Sequence, residues 1–131
     1  DGFWRAFLYR DGSMQNLGTL GGDISWAIGI NNLGQIVGYS DLITGNDLSD
    51  FSDYRAYLWE NGQMIDLNTL IDGNSGWNLF SAYSINDLGQ IVGEGIINGQ
   101  THAFLLTPVP EPMTLTMLAL GGLTVLNRYR S

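Results

Sequence analysis

Apolar positions recur along this chain in short bursts, each followed by a pair of turn-forming residues. Ala6-Phe-Leu-Tyr9 reads as a strand from its aromatic and aliphatic content. Asp11-Gly12 then supplies two residues that tolerate positive φ, as a tight hairpin requires, and Met14 and Leu17 anchor the partner strand at 14–17. After a polar, glycine-rich loop, a second hairpin is predicted from Ala27-Ile-Gly-Ile30 and Gln35-Ile-Val-Gly-Tyr39. Its turn is Asn31-Asn-Leu-Gly34, where Asn31 can bond backbone two residues on and Gly34 can turn left-handed. The same plan returns at 56–59, Asn61-Gly62, 63–67, 82–85, Asn86-Asp-Leu-Gly89 and 90–94. Another turn pair, Asn98-Gly99, leads into His102-Ala-Phe-Leu-Leu106. One uninterrupted apolar run, 113–126, stands apart from this pattern.

The recurrence is written in the residues themselves. INNLGQIVG at 30–38 and INDLGQIVG at 85–93 agree at eight of nine positions, and RAFLYRDGSMQNLGTL at 5–20 agrees with RAYLWENGQMIDLNTL at 55–70 at eight of sixteen. The first pair is offset by 55 residues and the second by 50, so one unit carries about five extra residues between its halves. A period near 50 belongs to propellers and related arrays. The expected fold is therefore all-β: repeated four-stranded antiparallel units in a partial, propeller-like array. Units of about 3–40 and 53–95 and a partial third at 101–107 make up a repeat region over 1–107. Two units and a strand cannot close a ring of four to eight blades. Covering the exposed sheet edges therefore calls for further repeats upstream or for self-association.

Residues 108–131 form a distinct tail. Pro108, Pro110 and Pro112 make a joint at 108–112, since proline lacks an N–H and pushes its predecessor out of helical geometry. The uncharged run 113–126 is expected to be a short transmembrane helix. At about 1.5 Å per residue it spans roughly 21 Å, short of a hydrocarbon core of about 30 Å. Arg128 and Arg130, in the basic end 127–131, provide the positive flank of the cytoplasmic side. Gly121-Gly122 would let such a helix pack closely against a partner.

Charge narrows the partners. All 13 acidic residues lie at or before Glu111, and that stretch has only Arg5, Arg10 and Arg55 against them, so residues 1–112 carry −10. Nucleic acid is disfavoured, because phosphate contacts need a positive surface. Cysteine is absent, which removes disulfides, thiolate nucleophiles and thiolate metal sites. The chain begins Asp1-Gly-Phe-Trp-Arg5 with neither methionine nor a secretory leader, so an exported product is expected to have additional sequence upstream.

These residues resemble two known patterns. The INxLGQIVG motif, the LGTLGG run at 17–22 and the His102-Ala-Phe104 triplet, with Arg5-Ala-Phe7 and Arg55-Ala-Tyr57 in the same slot, resemble the HAF family of extracellular repeats over residues 3–107. The second unit departs at Leu67-Asn-Thr-Leu-Ile71, which loses the glycines and lengthens the loop. That resemblance implies an exported β-repeat array with no established enzymatic activity. The order Pro110-Glu111-Pro112, apolar helix, Arg128 and Arg130 resembles the PEP-CTERM sorting signal of exopolysaccharide-producing bacteria. It implies export, anchoring in the membrane through the helix, handling near Pro110–Pro112 by an exosortase-type enzyme, and delivery to the cell surface or extracellular matrix.

Candidate chemistry is sparse. His102, the single histidine, has no cysteine or second histidine for a triad or metal site, and its slot holds arginine in the other units. The glutamates Glu60, Glu94 and Glu111 show no spacing that sets one opposite a second acid. Asp41, Asp47, Asp50 and Asp53 crowd one loop and form the candidate calcium site, although the EF-hand oxygen pattern is lacking; otherwise no cofactor is expected. Tyr9 and Trp59 share a repeat position and are expected to pack between units. Trp26 and Trp77, expected in variable loops, are the candidate glycan contacts. The expected function is a non-enzymatic structural or interaction role in the cell envelope; the alternative is exopolysaccharide binding through loop aromatics.

Overall fold

The computed structural model describes residues 3–44, 51–110 and 128–130. The expected membrane helix at 113–126, Glu111 and Pro112 of the sorting triplet, and Asp47 and Asp50 of the acidic loop lie outside the described residues. Among the described residues ten strands follow one another: β1 (Phe7–Arg10), β2 (Ser13–Asn16), β3 (Ser25–Ile30), β4 (Ile36–Asp41), β5 (Tyr54–Glu60), β6 (Gln63–Asp66), β7 (Asn78–Ile85), β8 (Ile91–Ile97), β9 (Gln100–Pro108) and β10 (Tyr129–Arg130). Single 3-10 turns at Phe51–Asp53 and Leu67–Thr69 are the only helical elements among the described residues. None of the described helical segments is long and apolar enough to cross a membrane.

The turns form as their residues dictate. Asp11-Gly12, Asn61-Gly62 and Asn98-Gly99 all take positive φ at both positions (54° and 78°, 53° and 80°, 53° and 73°), the mirror-image turn whose twist matches a right-handed hairpin. Asn31 and Asn86 each close a longer turn with one side chain. Asn31 Oδ1 accepts from the N–H groups of Leu33 (3.0 Å) and Gln35 (2.9 Å), and Asn86 Oδ1 accepts from those of Leu88 (3.1 Å) and Gln90 (2.9 Å). In both copies the amide also donates to the glutamine side chain, at 2.7 and 2.8 Å.

The sheets are all antiparallel, but they do not coincide with the sequence units. One four-stranded sheet runs β3-β4-β5-β6, another runs β7-β8-β9-β10, and β1-β2 is a hairpin by itself. Each four-stranded sheet thus joins the end of one repeat to the start of the next: β4 pairs with β5 from Ile36↔Trp59 to Asp41↔Tyr54, and β8 pairs with β9 from Ile91↔Leu106 to Ile97↔Gln100. The four-strand module is present, shifted by half a repeat. The reason lies in the connections. β8 and β9 are linked by a two-residue turn that forces them to be neighbours, whereas the glycine-rich segment after β2 carries the chain to another layer. Among the described residues the sheets do not close into a propeller.

The layers stack with the β3–β6 sheet in the middle, and β5 shows why. Successive side chains of a strand point to opposite faces. Ala56 and Leu58 join Val37, Leu67, Leu79, Ala82, Ile85, Ile91, Phe104 and Leu106 in the core beneath the β7–β10 sheet. Tyr57 and Trp59 join Ala6, Leu17 and Ile36 in a smaller core beneath the β1-β2 hairpin. Burial on both faces explains why β5 is apolar without interruption from Ala56 to Trp59.

Two glycines in the INxLGQIVG motif answer to close contact rather than to φ. A Cβ on Gly38 would lie 1.8 Å from the Trp26 carbonyl oxygen, and one on Gly93 would lie 2.1 Å from that of Ser81. Both carbonyls belong to bulged stretches: register slips between Ala27 and Gly29 on β3, and between Leu79 and Ser81 and again between Ala82 and Ser84 on β7. Ile28, Phe80 and Tyr83 are the residues left without a partner across the ladder.

Candidate functional site

The aromatic side chains of β3, β4 and β5 gather on one face of the middle sheet. Trp26 and Tyr39 are cross-strand partners, so their rings leave the sheet on the same side. They stack at 6.4 Å and 27°; Trp4 lies against the other side of Trp26 at 5.5 Å and 15°; and Tyr54 meets Tyr39 edge-on at 5.2 Å. Trp4 is held there because its carbonyl accepts from the Ser25 N–H at 2.8 Å. Tyr57 donates from its hydroxyl to the Trp26 carbonyl at 2.9 Å and so fixes the bulge from below; its burial raises its pKa strongly.

Trp26 and Trp77 do not form a pair of loop aromatics. Trp26 lies within β3 and is 41% exposed, whereas Trp77 is in the loop as expected, one residue before β7, but half-buried, packed on the core and edge-on to Phe104 at 6.4 Å. They lie in different layers, Trp26 in the β3–β6 sheet and Trp77 beside the β7–β10 sheet, and the repeat counterpart of Trp26 is Ser81. Trp59 packs between layers as expected, but Tyr9 is 64% exposed on the outer face of the hairpin, where no described layer covers it.

Asp41 is a structural anchor. Its side chain is fully buried, its two carboxylate oxygens accept the Asp23 and Ile24 N–H groups at 3.1 and 2.9 Å, and Gly22 gives it room. Asp53 closes the 3-10 turn, where its carbonyl accepts from the Leu42 N–H at 3.1 Å. Asp41 thus serves backbone donors, and among the described residues no three acidic or histidine side chains converge on a common point. His102 is exposed on β9, with Nε2 3.3 Å from Gln100 Oε1.

Of the tail residues, Pro110 is exposed just past β9, and Arg128 and Arg130 lie against the β-sheet domain. Tyr129, between them, is buried in the larger core, donates its N–H to the Leu70 carbonyl at 2.9 Å and pairs with Pro108 across β9. Arg128 pairs with Glu60, which also accepts from Gln35 Nε2 at 2.9 Å. The hydrogen bond from Arg128 is the main reason that the Glu60 carboxyl is held below its ordinary pKa. Sequence reading weighed Glu60 only as an acid without a facing acid and did not find its pairing with Arg128, 68 positions away.

It also missed a cleft where the two four-stranded sheets meet. Ile28, Tyr39, Tyr54, Phe80, Ser81 and Tyr83 line it, and its volume is about 310 Å³. Gly38 and Gly93 were the available signal, since a lone glycine in a strand marks a bulge or a close backbone approach. Comparison with protein-family models, curated proteins and solved structures finds no match to the chain.

Proposed function

We propose that the chain is a non-enzymatic interaction module of an exported, surface or matrix-associated β-repeat protein, built to extend by stacking sheets. One observation carries this reading. The pair Val37↔Leu58, fully buried in the centre of the molecule, has its repeat counterpart in Val92↔Leu105 on the outer face of the β7–β10 sheet, 43% and 50% exposed. At the other end of the stack, Phe7, Tyr9 and Met14 occupy a face that no described layer covers, whereas their counterparts Tyr57 and Trp59 are buried. Each terminal layer thus offers the residues that the interior uses to bind its neighbour. Sedimentation velocity of the chain over a range of concentrations tests this: association that Leu105→Lys abolishes supports it, and a monomer indifferent to Leu105→Lys overturns it.

Export and sorting through Pro110, Glu111 and Pro112, with anchoring through 113–126 and processing by an exosortase-type enzyme, belong to the same proposal. Their support is the order of residues in the tail. Because Tyr129 is buried and Arg128 is paired with Glu60, membrane engagement of the basic end would require β10 to leave β9. Replacing Pro110, Glu111 and Pro112 with alanine should block processing in a host with such an enzyme.

A second reading, exopolysaccharide binding, is favoured by the Trp4–Trp26–Tyr39 stack. Trp4 is 56% exposed and leaves an aromatic face open to a sugar ring.

A further inference from the structure

The cleft between the β3–β6 and β7–β10 sheets has the composition of a binding site and a feature that the fold does not explain. Its lining is one aliphatic, four aromatic and one hydroxyl side chain, with no charge among them. Three of the six, Ile28, Phe80 and Tyr83, are the bulged residues of β3 and β7. A bulge turns a side chain away from the direction that the pleat would give it, and bulges concentrate where a side chain has to be re-aimed. Ile28 and Tyr83 occupy the same position in the two repeats, so the bulge is built into the module and its occupant differs.

Ser81 supplies the second observation. It is 5% exposed, it belongs to the cleft lining, and its Oγ is the one buried side-chain polar atom among the described residues with no hydrogen-bond partner. Buried hydroxyls in folded proteins are nearly always satisfied, so this orphan, on a residue of the cleft wall, is a group that the fold leaves unexplained. In the first repeat the same position is Trp26, so packing of the module does not require a hydroxyl there.

We propose that this cleft binds a neutral pyranose residue of a glycan, stacked on the tyrosine rings and hydrogen-bonded to Ser81 Oγ. This deepens the exopolysaccharide reading and rests on it. A pyranose offers an apolar C–H face to aromatic rings and hydroxyls around its rim, which suits a wall of rings with one buried hydroxyl and the tyrosine hydroxyls nearby. A purely apolar ligand would leave Ser81 unpaired. An anionic sugar would meet a chain of net charge −8 with no cation in the described lining. The volume lies at the lower end of the roughly 300–1,000 Å³ of small-molecule sites, which suits a terminal or single internal residue.

The test uses the whole chain, titrated calorimetrically and by amide shift perturbation with short neutral gluco-, manno- and galacto-oligosaccharides, and with uronate oligomers for comparison. Binding of at least one neutral series is expected, with shifts centred on Tyr39, Ser81 and Tyr83. Tyr83→Ala should weaken it by about tenfold or more, a change of about 1.4 kcal/mol. Ser81→Ala should weaken it several-fold while leaving the unfolding midpoint equal or higher, a combination that a merely structural serine would not give. Neutral binding that survives both variants but is lost in Trp4→Ala overturns the cleft and leaves the glycan reading standing. Preference for the uronates overturns the neutral ligand, and absence of binding to every oligosaccharide overturns cleft and glycan reading together.

Discussion

Asn32 and Asp87 occupy the same position in two repeats and are bonded to each other. The Asn32 backbone N–H and its Nδ2 each donate to a carboxylate oxygen of Asp87, at 2.8 and 2.7 Å, and Asn31 Nδ2 donates to the Asn86 carbonyl at 3.0 Å. Equivalent turns therefore touch in register, so the copies stack in the manner of a regular array.

These bonds hold the Asp87 carboxyl below its ordinary pKa, with the Asn32 side chain as the largest cause. A depressed folded-state pKa means that the stabilisation is present above the unfolded value and is lost as pH falls through the folded one. Asp87→Asn should therefore flatten the acid limb of a plot of melting temperature against pH. Because the group is fully exposed, the effect at neutral pH should be small. An acid limb identical to wild type would show that the two turns do not couple.

Asn31→Ala removes the acceptor of two backbone N–H groups together with the bond to Asn86. A cost of about 1–2 kcal/mol is expected in urea unfolding, larger than that of Asn86→Ala, whose side chain serves its own turn alone. Equal costs for the two variants would contradict this ranking.

Asp41→Ala would strand the buried Ile24 N–H and the partly buried Asp23 N–H. A loss of about 3 kcal/mol is expected, since bonds to a charged acceptor are worth about 1.5–3 kcal/mol each. Calcium should not restore stability to this variant. Recovery at millimolar calcium would show that the loop binds the ion without Asp41.

Gly93→Ala cannot be accommodated while the β7 bulge stands, because the new methyl would overlap the Ser81 carbonyl. A destabilisation of about 2–4 kcal/mol is expected, with amide shifts spreading through Phe80, Ser81 and Tyr83. A neutral substitution would mean that the bulge is not fixed.

Glu60→Gln should weaken the pairing with Arg128 and cost at most about 1 kcal/mol, as partly exposed ion pairs do. Its clearer readout is faster hydrogen exchange at the Tyr129 N–H, as β10 loosens from the Leu70 carbonyl that this group bonds and from β9. In the wild-type chain the same loosening should appear as pH falls through the lowered Glu60 pKa, because the pair needs the ionised carboxylate.

The strands and turns could be read from the chain because their causes are local: Asp-Gly and Asn-Gly pairs, and an asparagine that bonds its own turn, need no distant partner. The grouping of strands into sheets was not legible. Nothing in the pattern at 36–41 or 54–60 states that these strands pair with each other and not within their own repeats. Trp26 looked like a loop residue because its strand starts earlier than its apolar content suggests, and Asp41 looked like an ion ligand because its two N–H partners are 17 and 18 positions away. Recurrence showed that the two glycines of the motif matter, but only the carbonyls above them show why.

The half-repeat offset decides where this molecule can be cut. A break at a sequence-unit boundary, near residue 50 or 98, divides a four-stranded sheet and leaves two ragged halves, whereas a break near residue 20 or 75 falls between layers. Duplication of one written unit therefore adds the closing half of one layer and the opening half of the next. Growth by copying keeps every newcomer locked to its predecessor by backbone pairing, much as overlapping bricks tie successive courses of a wall.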